Sequence, residues 1–296
     1  MIAIFGPTAS GKSAVAEALV DRIPAEVVSA DAMQVYRGLP VLTNQPARPT
    51  LLVGIWPLSH EASVGEYASL AHAAIDDILA AGRTAIVAGG TGLYLRAALV
   101  ELGLPPEPPP GARERWEQLY DRAGAEGAHA LLAERDPRAA AVVHPNDRRR
   151  VVRALELLEA GTSLRPERDR LWSEDMRRPT VVFVLDVPRD TLAARIERRT
   201  REMFERGVED EVRRALAQPT SVTARKVIGL EEVAGLSREE AIAAVTRRTL
   251  RYAAYQRKWL RRIPGAVALT ADRPSEVLAD EIVRAIRVAG ASGASG

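Results

Sequence analysis

Cysteine is absent from all 296 residues. That excludes a disulfide framework, a thiolate zinc site, an iron–sulfur cluster and a cysteine nucleophile. The absence suits a cytoplasmic protein, and a cytoplasmic location is expected. No apolar run reaches the roughly 18 residues that a membrane span needs. No charged leader precedes an apolar stretch at the N-terminus, so neither a span nor a signal peptide is expected. Lysine is scarce, with only Lys12, Lys226 and Lys258 among 41 basic residues. Internal repeats are missing as well. What is present suits a folded protein: 47% hydrophobic and 27% charged residues supply a sizeable core and rule out a mainly disordered chain. At about 100–200 residues per domain, the length suggests one large domain or two small ones.

Net charge is only +2, but its distribution is uneven. Residues 1–110 carry six basic against ten acidic side chains, so the remainder is cationic. Between Ala241 and Ala271 there is no acid, while Arg247, Arg248, Arg251, Arg257, Lys258, Arg261 and Arg262 crowd together. A cationic back half suggests a polyanionic partner. An arginine-rich chain with solvated helix faces explains the same bias equally well.

The apolar run Ile2 to Phe5 stops at Gly6, and from Lys12 the spacing of Val15, Ala18 and Leu19 is helical. This reads as strand, glycine loop, helix. Further strands fit 26–30, 84–88, 180–185 and 267–270. Helices fit 65–81, 188–206, 274–288 and a long one opened by the capping box Ser237-Arg238-Glu239-Glu240 and running through Trp259. Alternation of this kind predicts a parallel doubly wound sheet. Five prolines in Pro105–Pro110 make a stiff linker. Beyond it, residues 111–170 show helical periodicity and no convincing strand, with Asn146 the expected N-cap of a helix ending at Gly161. The expected fold is therefore α/β: a P-loop doubly wound parallel sheet with helices on both faces and a helical insertion domain. The core is expected at 1–111 and 171–288, the insertion at 112–170, and a flexible tail at 289–296.

The strongest chemical signal is Gly6-Pro7-Thr8-Ala9-Ser10-Gly11-Lys12-Ser13, a G-x-x-x-x-G-K-S phosphate loop. Its glycines permit a turn whose amides converge on an anion, and the following helix N-terminus adds partial positive charge. Lys12 reaches terminal phosphate oxygens and the Ser13 hydroxyl can ligate Mg²⁺. Alone, the loop says only polyphosphate. Asp31 ends the second strand, at the edge where ligands of open α/β sheets gather. It can ligate metal, accept a proton as a general base, or cap a turn. Gly89-Gly90-Thr91-Gly92-Leu93-Tyr94 follows the third strand, and either close ligand approach or a tight turn accounts for its glycines.

In order, the phosphate loop, Ser29-Ala30-Asp31-Ala32-Met33-Gln34-Val35-Tyr36-Arg37-Gly38 and Gly89–Tyr94 resemble the tRNA dimethylallyltransferase (isopentenyltransferase) family, bacterial type. His144-Pro145-Asn146-Asp147 with Arg150, Arg153 and Glu156, then Met203, Gly207, Glu211-Val212, Ile228-Gly229 and Gln256-Arg257 with Trp259 and Arg261, extend the match to about residue 262. The resemblance implies transfer of a dimethylallyl group from dimethylallyl diphosphate to the exocyclic amine of the adenosine 3′ of a tRNA anticodon. Gly6, Pro7, Thr8, Ala9, Ser10, Gly11, Lys12 and Ser13 would then hold the diphosphate, with Mg²⁺ on Ser13. Asp31 matches the family's base, while Thr8 and Arg199 match residues that assist the leaving group. The tRNA contacts implied are Asp31, Ala32, Met33, Gln34 and Thr91; Arg149, Arg150, Val151, Val152 and Arg153; and Gln256, Arg257, Trp259 and Arg261. Gln34 is the candidate reader of the adenine edge, and Trp259 fits a core anchor equally well. The partners expected are the tRNA anticodon stem-loop and dimethylallyl diphosphate, with no membrane and a monomeric chain.

The sequence departs from the family pattern at Ala32, Arg149, Leu230 and Ala254-Tyr255, and a lysine is lost at Gln45. Rival readings are a small-molecule kinase, because such loops commonly bind ATP, a prenyltransferase acting on free adenine nucleotides, and a non-catalytic RNA-binding ATPase.

Overall fold

The computed structural model describes residues 1–102, 108–164 and 175–293. Five strands form one sheet: β1 (Ile2–Phe5), β2 (Ala25–Ser29), β3 (Thr84–Gly89), β4 (Val181–Asp186) and β5 (Val267–Thr270). All pairings are parallel and the order is β2-β3-β1-β4-β5. Each strand starts or ends within one residue of its sequence expectation. Apolar residues run almost unbroken along β1 and β4 because both faces are covered.

The helices of the sheet's first half are α1 (Lys12–Val20), α2 (Val64–Ala80) and α3 (Gly92–Leu99). The α2 helix is capped by Ser63, whose hydroxyl accepts the Glu66 N–H at 3.2 Å. Between α3 and β4 the chain forms α4 (Ala112–Arg135), α5 (Pro137–Ala140) and α6 (Arg148–Glu159). After β4 come α7 (Arg189–Glu205), α8 (Val208–Leu216), α9 (Leu230–Gly235) and α10 (Arg238–Leu260), and after β5 comes α11 (Ser275–Gly293). Ile2, Ile4, Ile86, Phe183 and Leu185 turn one sheet face toward α1 and α11. The alternate residues Ala3, Phe5, Val28 and Val87 are buried on the other face, where α2 and α3 pack.

Two compact units result, one from residues 1–100 with 174–296 and the other from 101–173. The second unit is wholly helical among its described residues. Its core joins Ala128 and Leu132 of α4 to Val151, Ala154 and Leu155 of α6.

Three expectations need correction or delimiting. The N-cap of α6 is Asp147, not Asn146: the Asp147 carboxylate accepts the Arg150 N–H at 3.2 Å, three residues ahead. The terminal helix does not stop at Val288 but runs to Gly293: Ala289 and Ala291 favour helix and the single Gly290 between them weakens it without ending it. Residues 294–296 of the expected tail, 105–107 of the proline linker and 165–170 of the expected helical stretch lie outside the described residues.

Candidate active site

In this topology β1 connects toward β2 on one side and β4 toward β5 on the other. Such a divergence opens a crevice at the strands' carboxyl ends. The phosphate loop occupies it. Gly11 sits in the left-handed region at φ 92°, which delivers the chain from the loop into α1. A Cβ on Gly6 would lie 2.6 Å from Ser10 Oγ and 3.1 Å from Leu185, so the loop closes onto β4 only because Gly6 has none. Ser10 Oγ is buried without a hydrogen-bond partner among the described residues, leaving a donor inside the anion cradle.

Around the loop lies a cavity of about 670 Å³ whose walls include Asp31, Gln34, Arg195, Arg198, Arg199 and Arg273. Asp31 stands two residues past β2, where Ala30 N–H still donates to Ala88 O at 2.8 Å. A Cβ on Gly89 would meet the Ala30 carbonyl oxygen at 2.1 Å, so the ends of β2 and β3 approach only through that glycine. The Asp31 carboxylate accepts the Met33 N–H at 3.0 Å and keeps its second oxygen for the cavity. Lys12 Nζ donates to Pro7 O at 2.8 Å. Burial pushes the Lys12 ammonium down to about 8; Asp31 opposes this and Arg199 adds to it. Burial likewise lowers Arg199, with Asp31 again pulling the other way. Arg199 Nη2 donates to Thr8 Oγ1 at 2.7 Å, so α7 fixes a loop hydroxyl beside the cradle. Five cations, Lys12, Arg195, Arg198, Arg199 and Arg273, thus share one cavity with the carboxylates of Asp31, Glu17 and Glu202.

Several residues expected to contact tRNA are otherwise engaged. Gln34 lines the cavity, but its Oε1 accepts the Ser29 hydroxyl at 3.0 Å and its Nε2 donates to Thr43 O and Asn44 O. The amide fastens the 39–45 segment and has no free pair of atoms for an adenine edge. Gln256 is 1% exposed. Its Oε1 accepts the Thr8 N–H at 2.8 Å and its Nε2 donates to Gly90 O at 2.8 Å. Trp259 packs against α3's first residue, since a Cβ on Gly92 would fall 2.2 Å from its ring. Arg257 donates to Val187 O and pairs with Asp186, both at 2.9 Å. With Arg261 it lines a separate cavity of about 950 Å³, away from the phosphate loop. Thr91 Oγ1 accepts the Ala32 N–H at 3.2 Å and pairs with the Tyr252 hydroxyl at 3.1 Å.

In the helical unit, Val151 and Val152 are buried, Arg149 and Arg150 are exposed, and Arg153 pairs with the buried Glu156 at 2.8 Å. Arg149 and Arg150 form no ion pair among the described residues. Of the seven cations in the acid-free stretch, Arg248 is paired with Glu232 and Arg257 with Asp186.

Sequence reasoning missed Arg195, Arg198 and Arg273 as walls of the cavity. The first two share a helical stripe with Arg199, a spacing that was legible. Glu211 was singled out only as part of the resemblance and its role was missed: it is a 4%-exposed carboxylate that accepts the N–H groups of Val41 (2.8 Å) and Leu42 (2.7 Å) and so holds the segment beside Gln34.

The donor set tests whether magnesium fits. Among the described residues no group of three or more His, Asp or Glu could chelate a metal. The Ser13 hydroxyl, exposed to the cavity at the start of α1, is a hard-cation donor beside the loop. A single hydroxyl does not hold a bare cation, but it suits Mg²⁺, which keeps its waters and takes most remaining ligands from phosphate.

A family profile described as IPP transferase matches residues 34–263, and one described as isopentenyl transferase matches residues 1–52. A tRNA dimethylallyltransferase of Anaeromyxobacter sp. (strain K) is 41% identical over 296 residues, covering 96% of this chain and 97% of that protein. One from Corynebacterium jeikeium (strain K411) is 37% identical, covering 94% of each. Among solved structures, the tRNA isopentenylpyrophosphate transferase of Bacillus halodurans superimposes with a TM-score of 0.69 at 31% identity, covering 97% of this chain and 95% of that one. A eukaryotic dimethylallyltransferase acting on tRNA gives a TM-score of 0.80 at 26% identity, covering all of this chain and 79% of that one. With a phosphate loop and a carboxylate on one cavity wall and matches spanning nearly its whole length, the chain belongs to the IPP transferase family, that of the tRNA dimethylallyltransferases.

Proposed function

We propose that this enzyme moves a dimethylallyl group from dimethylallyl diphosphate to N6 of the adenosine 3′ of the anticodon in tRNA and releases diphosphate. The observation that carries the reading is the single cavity shared by Asp31, Lys12 and Arg199. An adenine amine is a weak nucleophile because its lone pair is delocalised into the ring. It needs a base to take its proton as the C–N bond forms, and a leaving group whose growing charge is stabilised.

The residues divide that work. Asp31 accepts one N6 proton while N6 bonds to the allylic carbon and the carbon–oxygen bond to diphosphate breaks. Lys12, the loop amides and Arg199 take up the negative charge left on the departing diphosphate. Thr8 accepts from Arg199, which leaves its own hydroxyl proton free to donate toward the bridging oxygen. Ser13 would offer its hydroxyl to a Mg²⁺ ion, which when bound would add charge neutralisation at the leaving group. The adenine is stacked in its loop before reaction and is flipped out to reach Asp31. The exposed Arg149 and Arg150 of the helical unit and the exposed cations of α10 are suited to tRNA phosphates. A tRNA substrate places the activity in the cytoplasm. Among the described residues, no helix is long and apolar enough to cross a membrane.

The test pairs unmodified tRNA with labelled dimethylallyl diphosphate in one reaction and labelled ATP in another, followed by mass spectrometry of the nucleosides. Prenylated adenosine from the first reaction alone is expected. Phosphoryl label from ATP, with no prenyl product, would overturn the reading in favour of a kinase.

A further inference from the structure

One face of α10 carries Tyr252, Gln256 and Trp259, four and three residues apart. Each touches the loops that flank Asp31. Tyr252 meets Thr91, whose hydroxyl in turn accepts the Ala32 N–H beside Asp31. Gln256 spans from the Thr8 N–H of the phosphate loop to the Gly90 carbonyl of the β3–α3 loop. Trp259 seats on Gly92. The middle contact is built for its place: a Cβ on Gly90 would lie 2.4 Å from Gln256 Nε2, so the glycine exists where the amide must pass. Both polar ends of the amide are used, and the side chain is 1% exposed. A residue so enclosed does not reach RNA.

From this we infer that Gln256 is a positioning residue for prenyl transfer, bolting the leaving-group cradle to the loop beside the base so that attack and departure stay in line. Tyr252 supports the same joint through Thr91. The inference rests on the proposed prenyl transfer. Its force is geometric, because a misplacement of about 1 Å between reacting groups costs about 10²-fold in rate.

The neutral amide accepts from Thr8 and donates to Gly90 at once. Gln256→Met removes both bonds at similar volume. Gln256→Glu retains the acceptor, and retains the donor only while protonated, a state that burial favours at low pH. Single-turnover rates, tRNA affinity, inorganic diphosphate affinity and melting temperature are measured for both, alongside Tyr252→Phe, which removes only a hydroxyl.

The expected result is a 10–100-fold slower transfer step for Gln256→Met with tRNA affinity within twofold of wild type. For Gln256→Glu, the rate relative to wild type should fall as pH rises from 5.5 to 7.5, and Tyr252→Phe should show a smaller loss of the same kind. A tenfold loss of tRNA affinity with an unchanged transfer rate would overturn the inference, as would a relative rate for Gln256→Glu that does not vary with pH. If Gln256→Met and Gln256→Glu fail to fold, Tyr252→Phe decides, and an unchanged transfer rate there overturns it. Absence of any transfer by the wild-type enzyme would instead defeat the proposed function. The joint is then read on inorganic diphosphate alone: relative to wild type, Gln256→Glu should bind it progressively less well as pH rises from 5.5 to 7.5, and a ratio to wild type that does not vary with pH would overturn the joint.

Discussion

Lys12 gives the sharpest pH-dependent prediction. Its ammonium is expected to lose its proton near pH 8 in the free enzyme because burial disfavours the charged form. Only the protonated form attracts diphosphate, and bound diphosphate holds the proton on to higher pH. Affinity should therefore be flat below pH 7.5 and then fall tenfold per pH unit, giving about a 30-fold loss between pH 7 and pH 9.5. Phosphate ionisation is complete below that range, so the ligand adds no slope of its own. At pH 8.5 binding should take up about three-quarters of a proton, since that fraction of Lys12 is neutral beforehand. Calorimetry of dimethylallyl diphosphate binding in two buffers of different ionisation enthalpy measures both quantities at fixed magnesium. Lys12→Arg supplies the control, because guanidinium stays charged throughout and its profile should be flat. A flat wild-type profile to pH 9.5, or the same decline in Lys12→Arg, would refute the assignment of the titration to Lys12.

Asp31→Asn should lower the transfer step by about 10²–10⁴-fold while leaving tRNA affinity within twofold, read by single-turnover kinetics against filter binding. Gly89→Ala forces a carbon against the Ala30 carbonyl and should destabilise the fold by about 1–3 kcal/mol, seen in the denaturant midpoint. Glu211→Gln leaves one of the Val41 and Leu42 amides facing an NH₂ group and should cost about 1–3 kcal/mol by the same measurement. Arg149→Gln with Arg150→Gln should reduce the salt dependence of tRNA binding, lowering the log–log slope by about 1.5 if both meet phosphate.

The parts of this enzyme that were legible in sequence are those whose cause is local. A glycine loop between an apolar run and a helical repeat can be placed without a partner, because the turn, the amides and the helix dipole all lie within eight residues. Asp31 was legible for a related reason: a strand's carboxyl end faces the crevice of a parallel sheet whatever the rest of the chain does. What holds the segment between β2 and α2 was not legible, since Glu211 lies some 170 residues from the amides it accepts.

Gln34 and Gln256 show the limit more sharply. Both belong to motifs that, by resemblance, point to tRNA, and both carry an amide that could read a base. Whether an amide reads RNA or fastens backbone depends on which N–H and C=O groups the fold brings within 3 Å, and those come from segments up to 248 residues away. The spacing of Tyr252, Gln256 and Trp259 fits one face of α10, but spacing cannot say that the face looks inward. The acid-free charge of α10 hid this further, because Arg257 and Lys258 stand beside Gln256 in sequence while pointing to other surroundings. A helix whose outer side carries cations and whose inner side fastens two active-site loops satisfies both demands with one motif. A motif that follows from RNA affinity alone would leave the buried amide free to vary, whereas the glycine at position 90 and the amide at position 256 constrain each other directly.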